Sequence, residues 1–193
     1  MSLLEIMRNR RSVRSYTQEP ITDQALEEII QAGLLSASSR AFRPWEFIVV
    51  RDRETLNQMA ACRDGAANML KGADAAIVVI ADDGKSDVWI EDCSIVMSNM
   101  HLMADALGVG SCWIQGRLRV AAEGGSTESY LRELLGFPAT FKLEAILSLG
   151  MPEKHAPAYE LDALPMEKVH WGKINRHLPY LSITLPKYYQ YYL

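Results

Sequence analysis

What this chain has little of narrows it first. Its 193 residues hold three cysteines, Cys62, Cys93 and Cys112, none at CxxC spacing. So sparse and odd a set fits a reducing cytoplasm, with thiols serving as small buried hydrophobes, and leaves no disulfide framework. The four histidines, His101, His155, His170 and His177, show neither HExxH nor another metal-ligand spacing, so no metal site is expected. No GxSxG elbow prepares a nucleophilic serine. Gly84-Lys85-Ser86 follows a strand-like run, but Val79 stands where a phosphate loop needs glycine. Gly108-Val109-Gly110 lacks the third glycine of a dinucleotide fingerprint and comes before a strand rather than after one. Asp82-Asp83-Gly84 lacks the alternating carboxylates of a calcium loop and reads as a turn. Apolar runs are too short or too interrupted to span a membrane, and charge within the first five residues argues against a signal peptide. A net charge of −4 without a broad basic stripe argues against a nucleic-acid binder.

The remainder is ordinary for a globular protein, with 49% hydrophobic and 23% charged residues. The length suits one domain over 1–193 and is short for two. A soluble, cytoplasmic protein is expected. No side-chain constellation is built for hard chemistry unaided, so an enzymatic reading calls for a cofactor.

Against the acidic balance, four arginines crowd the first fourteen residues, in Arg8-Asn9-Arg10-Arg11-Ser12-Val13-Arg14-Ser15-Tyr16. Guanidinium forks bind phosphate oxygens bidentately and keep their charge when partly buried, and serine hydroxyls add donors. The rival reading is a solvated basic helix end.

The pattern predicts a short helix from Ser2 to about Arg10, then a second capped by Thr22, with Ile21 and Leu26 as a hydrophobic staple. A loop, Ser36 to Pro44, leads into a buried strand, Trp45–Val50. Asp52 caps a helix running toward Lys71, which Asp64-Gly65 can break. Ala75–Ala81, Ser111–Gln115 and Glu144–Leu149 read as further strands. Ser126–Leu135 reads as a helix stopped by Gly136. Val88 to Leu107 is apolar nearly all round, so both its sides are expected to be covered, by a core or by a partner. Gly108 is placed to end it in the left-handed region. His101 in that helix reads as a satisfied core or interface histidine. Beyond Met151 the chain is rich in Pro and Tyr, and Leu181–Leu185 alternates like a strand that needs a sheet edge. Alternation of strands and helices taken alone suggests a parallel, doubly wound sheet.

Four blocks together resemble the FMN-dependent nitroreductase family: Arg10 to Tyr16, Ser36 to Trp45, the apolar helix with Ala106 to Ile114, and Leu149-Gly150-Met151-Pro152. They come in that family's order and spacing and cover about residues 3 to 172. The resemblance implies a three-layer α/β/α fold of the α+β class with a largely antiparallel sheet, which replaces the parallel expectation. It also implies an obligate homodimer with FMN sites built from both subunits and NAD(P)H as reductant. The tail, about 173–193, then packs on the partner, with Ser182 to Leu185 as an exchanged strand, and the apolar helix lies at the dimer interface.

Residue by residue, the resemblance gives Arg10, Arg11, Ser12 and Arg14 to the FMN phosphate and ribityl chain. Arg8, a turn earlier, keeps the solvated reading. Ser38 and Ser39, with Pro44-Trp45, match a loop that reaches the flavin of the other subunit. Gln115 and Gly116 match a pair whose backbone N–H groups point at the flavin N5 and O4 edge. Two departures stand out. Ala41 and Arg43 replace the family's usual Asn and Gln, and Arg43 would set a cation near the pyrimidine edge and raise the flavin potential. The family's basic residue after the Leu-Gly-x-Pro block is missing from Ala156 to Asp162, with Lys154 or His155 as substitutes or as solvated loop residues.

The activity implied is hydride transfer from NAD(P)H to a planar acceptor such as a nitroaromatic or quinone, in ping-pong order. A flavin-dependent dehalogenase or flavin-processing enzyme is a second possibility, for which only Ala121 to Ser129 offers room for an insertion. A non-catalytic FMN-binding or redox-sensing protein is the third, and a flavin-free helical-interface protein the blandest.

Overall fold

Strand β2 (Ala75–Asp82) is buried at every position from Ala75 to Ala81, which fixes where the core lies. Ala75, Ile77, Val79 and Ala81 face one apolar cluster, and Ala76, Val78 and Ile80 face the other. Period-two alternation sends successive side chains to opposite faces, so a strand apolar throughout needs cover on both sides. The structure, a computed structural model, describes residues 1–174.

Among the described residues four strands form one sheet in the order β1-β2-β4-β3: β1 (Trp45–Val50), β2, β4 (Phe141–Gly150) and β3 (Gly110–Gln115). Every pairing is antiparallel. The parallel arrangement suggested by alternation alone is therefore wrong, and the antiparallel one implied by the resemblance is right. One face carries α2 (Asp23–Leu34) and α4 (Trp89–Ala106), through Leu26, Ile29, Val96, Met97 and Met100. The other carries α3 (Arg53–Met59) and α5 (Thr127–Leu135), through Leu56, Met59 and Leu131. Side chains such as Ile77, Ile146 and Leu147 are fully buried, each stabilising by about 1.5–3 kcal/mol relative to exposure. Helix α1 (Leu3–Asn9) begins with a capping box between Ser2 and Glu5.

Local signals act where expected. Thr22 caps α2 and Ser126 caps α5, and Gly136 ends α5 at φ 73. Two expectations need correction. The helix after Asp52 stops at Met59, because Asp64 N–H and Ala122 N–H engage Val120 and Ala61 carbonyls and turn the chain aside; only a 3₁₀ turn, Asn68–Lys71, follows. Strand β1 lies at a sheet edge with Glu46 and Val49 exposed, so it is half-buried. A third expectation is met on one side only: helix α4 is covered by the sheet, while Ile95, Ser98 and Ala106 are exposed within this chain, which leaves the outer side to the partner half of that expectation.

Two compact units are distinguished, Met1–Tyr159, which holds the sheet, and a second from Glu160 onward, with 3₁₀ turns at Leu161–Ala163 and Met166–Lys168. The expected exchanged strand, Ser182 to Leu185, and His177 lie outside the described residues. No helix among the described residues is long and apolar enough to cross a membrane.

Candidate functional site

The arginine segment is held against edge strand β3 by two glycines. Gly110 and Gly150 are paired across β3 and β4. A Cβ at Gly110 would stand 2.9 Å from Val13 Cγ1, and one at Gly150 would stand 2.8 Å from Tyr16 Cγ. The missing side chains leave a slot into which Val13 and Tyr16 pack, both buried. Val13 N–H donates to Ser111 O at 2.9 Å, Ser12 pairs with Ser111 in a parallel bridge, and Tyr16 Oη lies 2.7 Å from Ser148 Oγ. Burial raises the Tyr16 phenol well above its ordinary range, so it stays protonated and acts as a pin.

This extended stretch divides the arginines. Arg10 Nη1 donates to His101 Nε2 at 2.9 Å. Arg11 goes elsewhere: it donates to Pro157 O at 2.9 Å and stacks on Tyr159 with its guanidinium carbon 4.2 Å from the ring centre. Arg11 and Val13, with Asn9, Asp105 and His155, line a separate cleft of about 190 Å³. Ser12 and Arg14 are exposed beside β3, and the Cys112 thiol feels both. Arg8 is half-buried and donates to Tyr159 O at 2.6 Å, so its solvated reading is corrected. The carbonyls of the stretch after Met151 thus receive two of the arginines. His155 contacts Asp105 at 3.3 Å and Ala156 O at 2.7 Å, and Lys154 is exposed.

The second expected contact, Ser36 to Arg43, is a strained loop. Arg40, Ala41 and Arg43 have φ of 49, 57 and 46, a left-handed conformation that costs non-glycine residues of order 1 kcal/mol each. Buried Asp92, in the first turn of α4, anchors it: Oδ1 accepts Ser39 N–H at 2.8 Å and Oδ2 accepts Ser86 Oγ–H at 3.0 Å. Ser38 Oγ accepts Arg43 N–H at 3.0 Å. The Arg43 side chain is exposed.

The third expected contact lies at the far end of β3. Gln115 Oε1 accepts Trp113 Nε1–H at 2.9 Å. Gly116 N–H and Arg117 N–H both donate to Glu144 O, at 3.2 and 2.9 Å. The Gly116 N–H is thereby occupied within this chain, which corrects its expected orientation toward a flavin. A Cβ at Gly116 would meet Leu143 Cδ2 at 2.5 Å, so the glycine is required for packing against β4. Glu144 itself is the extra residue of a β-bulge, since Val79 pairs with Ala145 and Ile80 with Leu143. Its carboxyl is buried, Oε2 has no hydrogen-bond partner, and burial raises its pKa against the opposing pull of Gln115 and Arg117.

Sequence reasoning missed Asp92, Glu144 and the role of His101. Glu144 and His101 are each flanked on both sides by apolar residues, which was the available signal; Asp92 sits beside Glu91 and offered none. The three cysteines are buried and free, with Cys62 and Cys93 pushed up to about 12 by burial, so none is a ready nucleophile.

An antiparallel sheet between two helical layers, with an arginine segment laid along its edge strand, defines a three-layer α+β protein with a cationic edge suited to an anionic ligand. The sequence profile of the Nitroreductase family matches residues 7–62 and 57–151. A relative from Archaeoglobus fulgidus, provisionally named NADH dehydrogenase/NAD(P)H nitroreductase, is 38% identical over 168 residues, covering 82% of this chain and 90% of its own. The solved FMN-dependent nitroreductase of Clostridium difficile R20291 superposes with a TM-score of 0.86 at 41% identity, covering 89% of this chain and 99% of that one. A provisionally named nitroreductase in complex with FMN, from Desulfovibrio desulfuricans, superposes with a TM-score of 0.69 at 27% identity over 88% and 98% of the two chains. The chain belongs to the nitroreductase family.

Proposed function

We propose that this protein transfers hydride from NAD(P)H to a planar acceptor, such as a nitroaromatic or a quinone, in ping-pong order. It is an FMN-dependent NAD(P)H oxidoreductase, like the proteins it resembles. The donor set suits the phosphate of FMN: residues 8–17 hold four arginines and two serines and no carboxylate. Arg10, Ser12 and Arg14 hold that phosphate and the ribityl chain, and Arg11 braces the segment from its other side. When bound, FMN supplies a ring that accepts a hydride and releases it again. The protein orients the ring and sets the electrostatics along its edge, where Gln115 and the Arg43 cation act; no titrating side chain is required.

The observation that carries this reading is the arginine segment fixed to β3 by the paired glycines, which presents Arg10, Ser12 and Arg14 from a rigid edge. An obligate homodimer belongs to the same proposal. Leu3, Leu4 and Met7 of α1, Leu34 and Leu35 at the end of α2, and Ile95 of α4 are exposed. A groove of about 250 Å³ runs among them, lined by Ile6, Leu102 and Met103. Apolar surface of this extent calls for cover. In this proposal a second copy supplies it, the loop Ser38–Arg43 reaches the partner's flavin, and residues 1–193 act as one domain with a tail from about 173 on the partner. A cytoplasmic location accords with the unpaired thiols.

Steady-state oxidation of NADH and NADPH with menadione or nitrofurazone tests the activity. Turnover with either acceptor is expected. Tight FMN binding without turnover would favour a redox sensor, and turnover only with a halogenated or flavin substrate would favour a different reaction on the same fold.

A further inference from the structure

His101 occupies an unusual place, a buried imidazole in an apolar helix with a polar partner on each ring nitrogen. It stands there because α4 and β3 are joined by a short turn: α4 ends at Ala106, Gly108 adopts φ 74, and β3 begins at Gly110. The strand doubles back, and Ser111, its second residue, meets the imidazole at 2.5 Å from Nδ1. On the other side, Arg10 follows the last residue of α1 and reaches Nε2 at 2.9 Å.

The chemistry of the partners fixes the tautomer. Arginine has donors and no acceptor, so Nε2 must carry the lone pair. The proton is then on Nδ1 and is donated to Ser111 Oγ. Burial and the Arg10 charge pull the His101 pKa down to about 4, so the ring is neutral at pH 7 and able to accept from a cation.

We propose that His101 is a positioning residue for the cofactor: it holds one amino group of Arg10 on Nε2, so that the remaining guanidinium donors face the phosphate of FMN in a fixed direction. Arg10 has a flexible side chain at the exit of a helix, and holding one amino group leaves the other and Nε for a bidentate contact. Ser111 completes the arrangement by orienting the ring through Nδ1. The inference rests on the reading that Arg10 binds the phosphate of FMN.

The test is a double-mutant cycle read as FMN dissociation constants, from quenching of FMN fluorescence on binding. His101→Leu removes the acceptor. Loss of the order of one charge-assisted hydrogen bond predicts FMN binding weaker by about tenfold with the fold intact by circular dichroism. His101→Gln, whose amide oxygen accepts from Arg10, should restore most of that loss. In an Arg10→Ala background, His101→Leu should change FMN affinity by less than about twofold, because the group it positions is gone. An equal loss in both backgrounds would make His101 a packing residue and overturn the proposal. Unchanged FMN affinity in Arg10→Ala alone would instead overturn the phosphate reading beneath it. If His101→Leu fails to fold, the holoprotein still decides: nitrogen–proton NMR correlation of the His101 ring should show the Nδ1–H tautomer, and an Nε2–H tautomer contradicts the proposal.

Discussion

The segment Arg10–Tyr16 and the loop Ser38–Arg43 are both expected to touch flavin, yet the fold holds them in opposite ways. The first lies in a slot made by two glycines, is bonded to the backbone of β3, and is pinned by Tyr16 and His101. The second carries three left-handed non-glycine residues and depends on one buried carboxylate, Asp92. The rigid segment suits a fixed charge such as a phosphate, which gains from donors already aimed at it. The strained loop stores energy that a neighbouring surface or ligand can help to balance. The proposed dimer would use this division: one part complete within the chain, the other shaped for something outside it.

The comparison is broken most directly by removing the cations of the first region. Arg10→Ala with Arg14→Ala should weaken FMN binding by about 100-fold or more, as expected for losing two charge-assisted contacts, while the melting temperature of the apoprotein falls by only about 2–8 °C, the cost of leaving buried His101 Nε2 without its donor. Isothermal titration with FMN and a thermal melt of each apoprotein check the two halves.

Acid probes the same region next. The His101 pKa is lowered from 6.5 to about 4 by burial and by Arg10. The unfolded state therefore binds a proton that the folded state refuses, and stability falls as pH drops from about 6.5 toward 4, by roughly 3 kcal/mol at most. Urea unfolding across that window should show this slope in the native protein and lack it in His101→Gln.

The loop responds to smaller changes. Asp92→Ala strands Ser39 N–H and Ser86 Oγ, so a loss of about 1–3 kcal/mol is expected, with protease cleavage appearing between residues 36 and 44 before the sheet opens. Ala41→Gly relieves one left-handed residue and should stabilise by about 0.5 kcal/mol, since the gain is partly offset by the freedom of glycine in the unfolded chain. A loss of stability in that variant would mean that Ala41 is not strained.

Much of this molecule was legible in its residues, and unevenly. Thr22, Ser126 and Gly136 act locally, and they end or begin helices where their chemistry says they should. Strand direction was not legible without the resemblance, because Ala75–Ala81 is apolar on both faces and such runs serve parallel and antiparallel sheets alike. The stop after Met59 depends on bonds to Ala61 and Asp64 from residues some sixty positions away. At the site, the arginine cluster announced itself by composition. Its division did not: Arg8 and Arg11 are claimed by carbonyls of Tyr159 and Pro157, and Arg10 by a histidine ninety-one residues on. Gly116 looked like a free donor, and only the bulge at Glu144 reveals the carbonyl that occupies its N–H. Short-range chemistry was readable, and long-range pairing was not.

One measurement bears most directly on the central claim, the visible spectrum of the purified protein during anaerobic titration with NADH or NADPH. A yellow protein is expected, whose flavin absorption bleaches with one of the two nucleotides and returns on addition of menadione or nitrofurazone. A colourless protein that takes up no added FMN, or a yellow one that neither nucleotide bleaches, would contradict that claim.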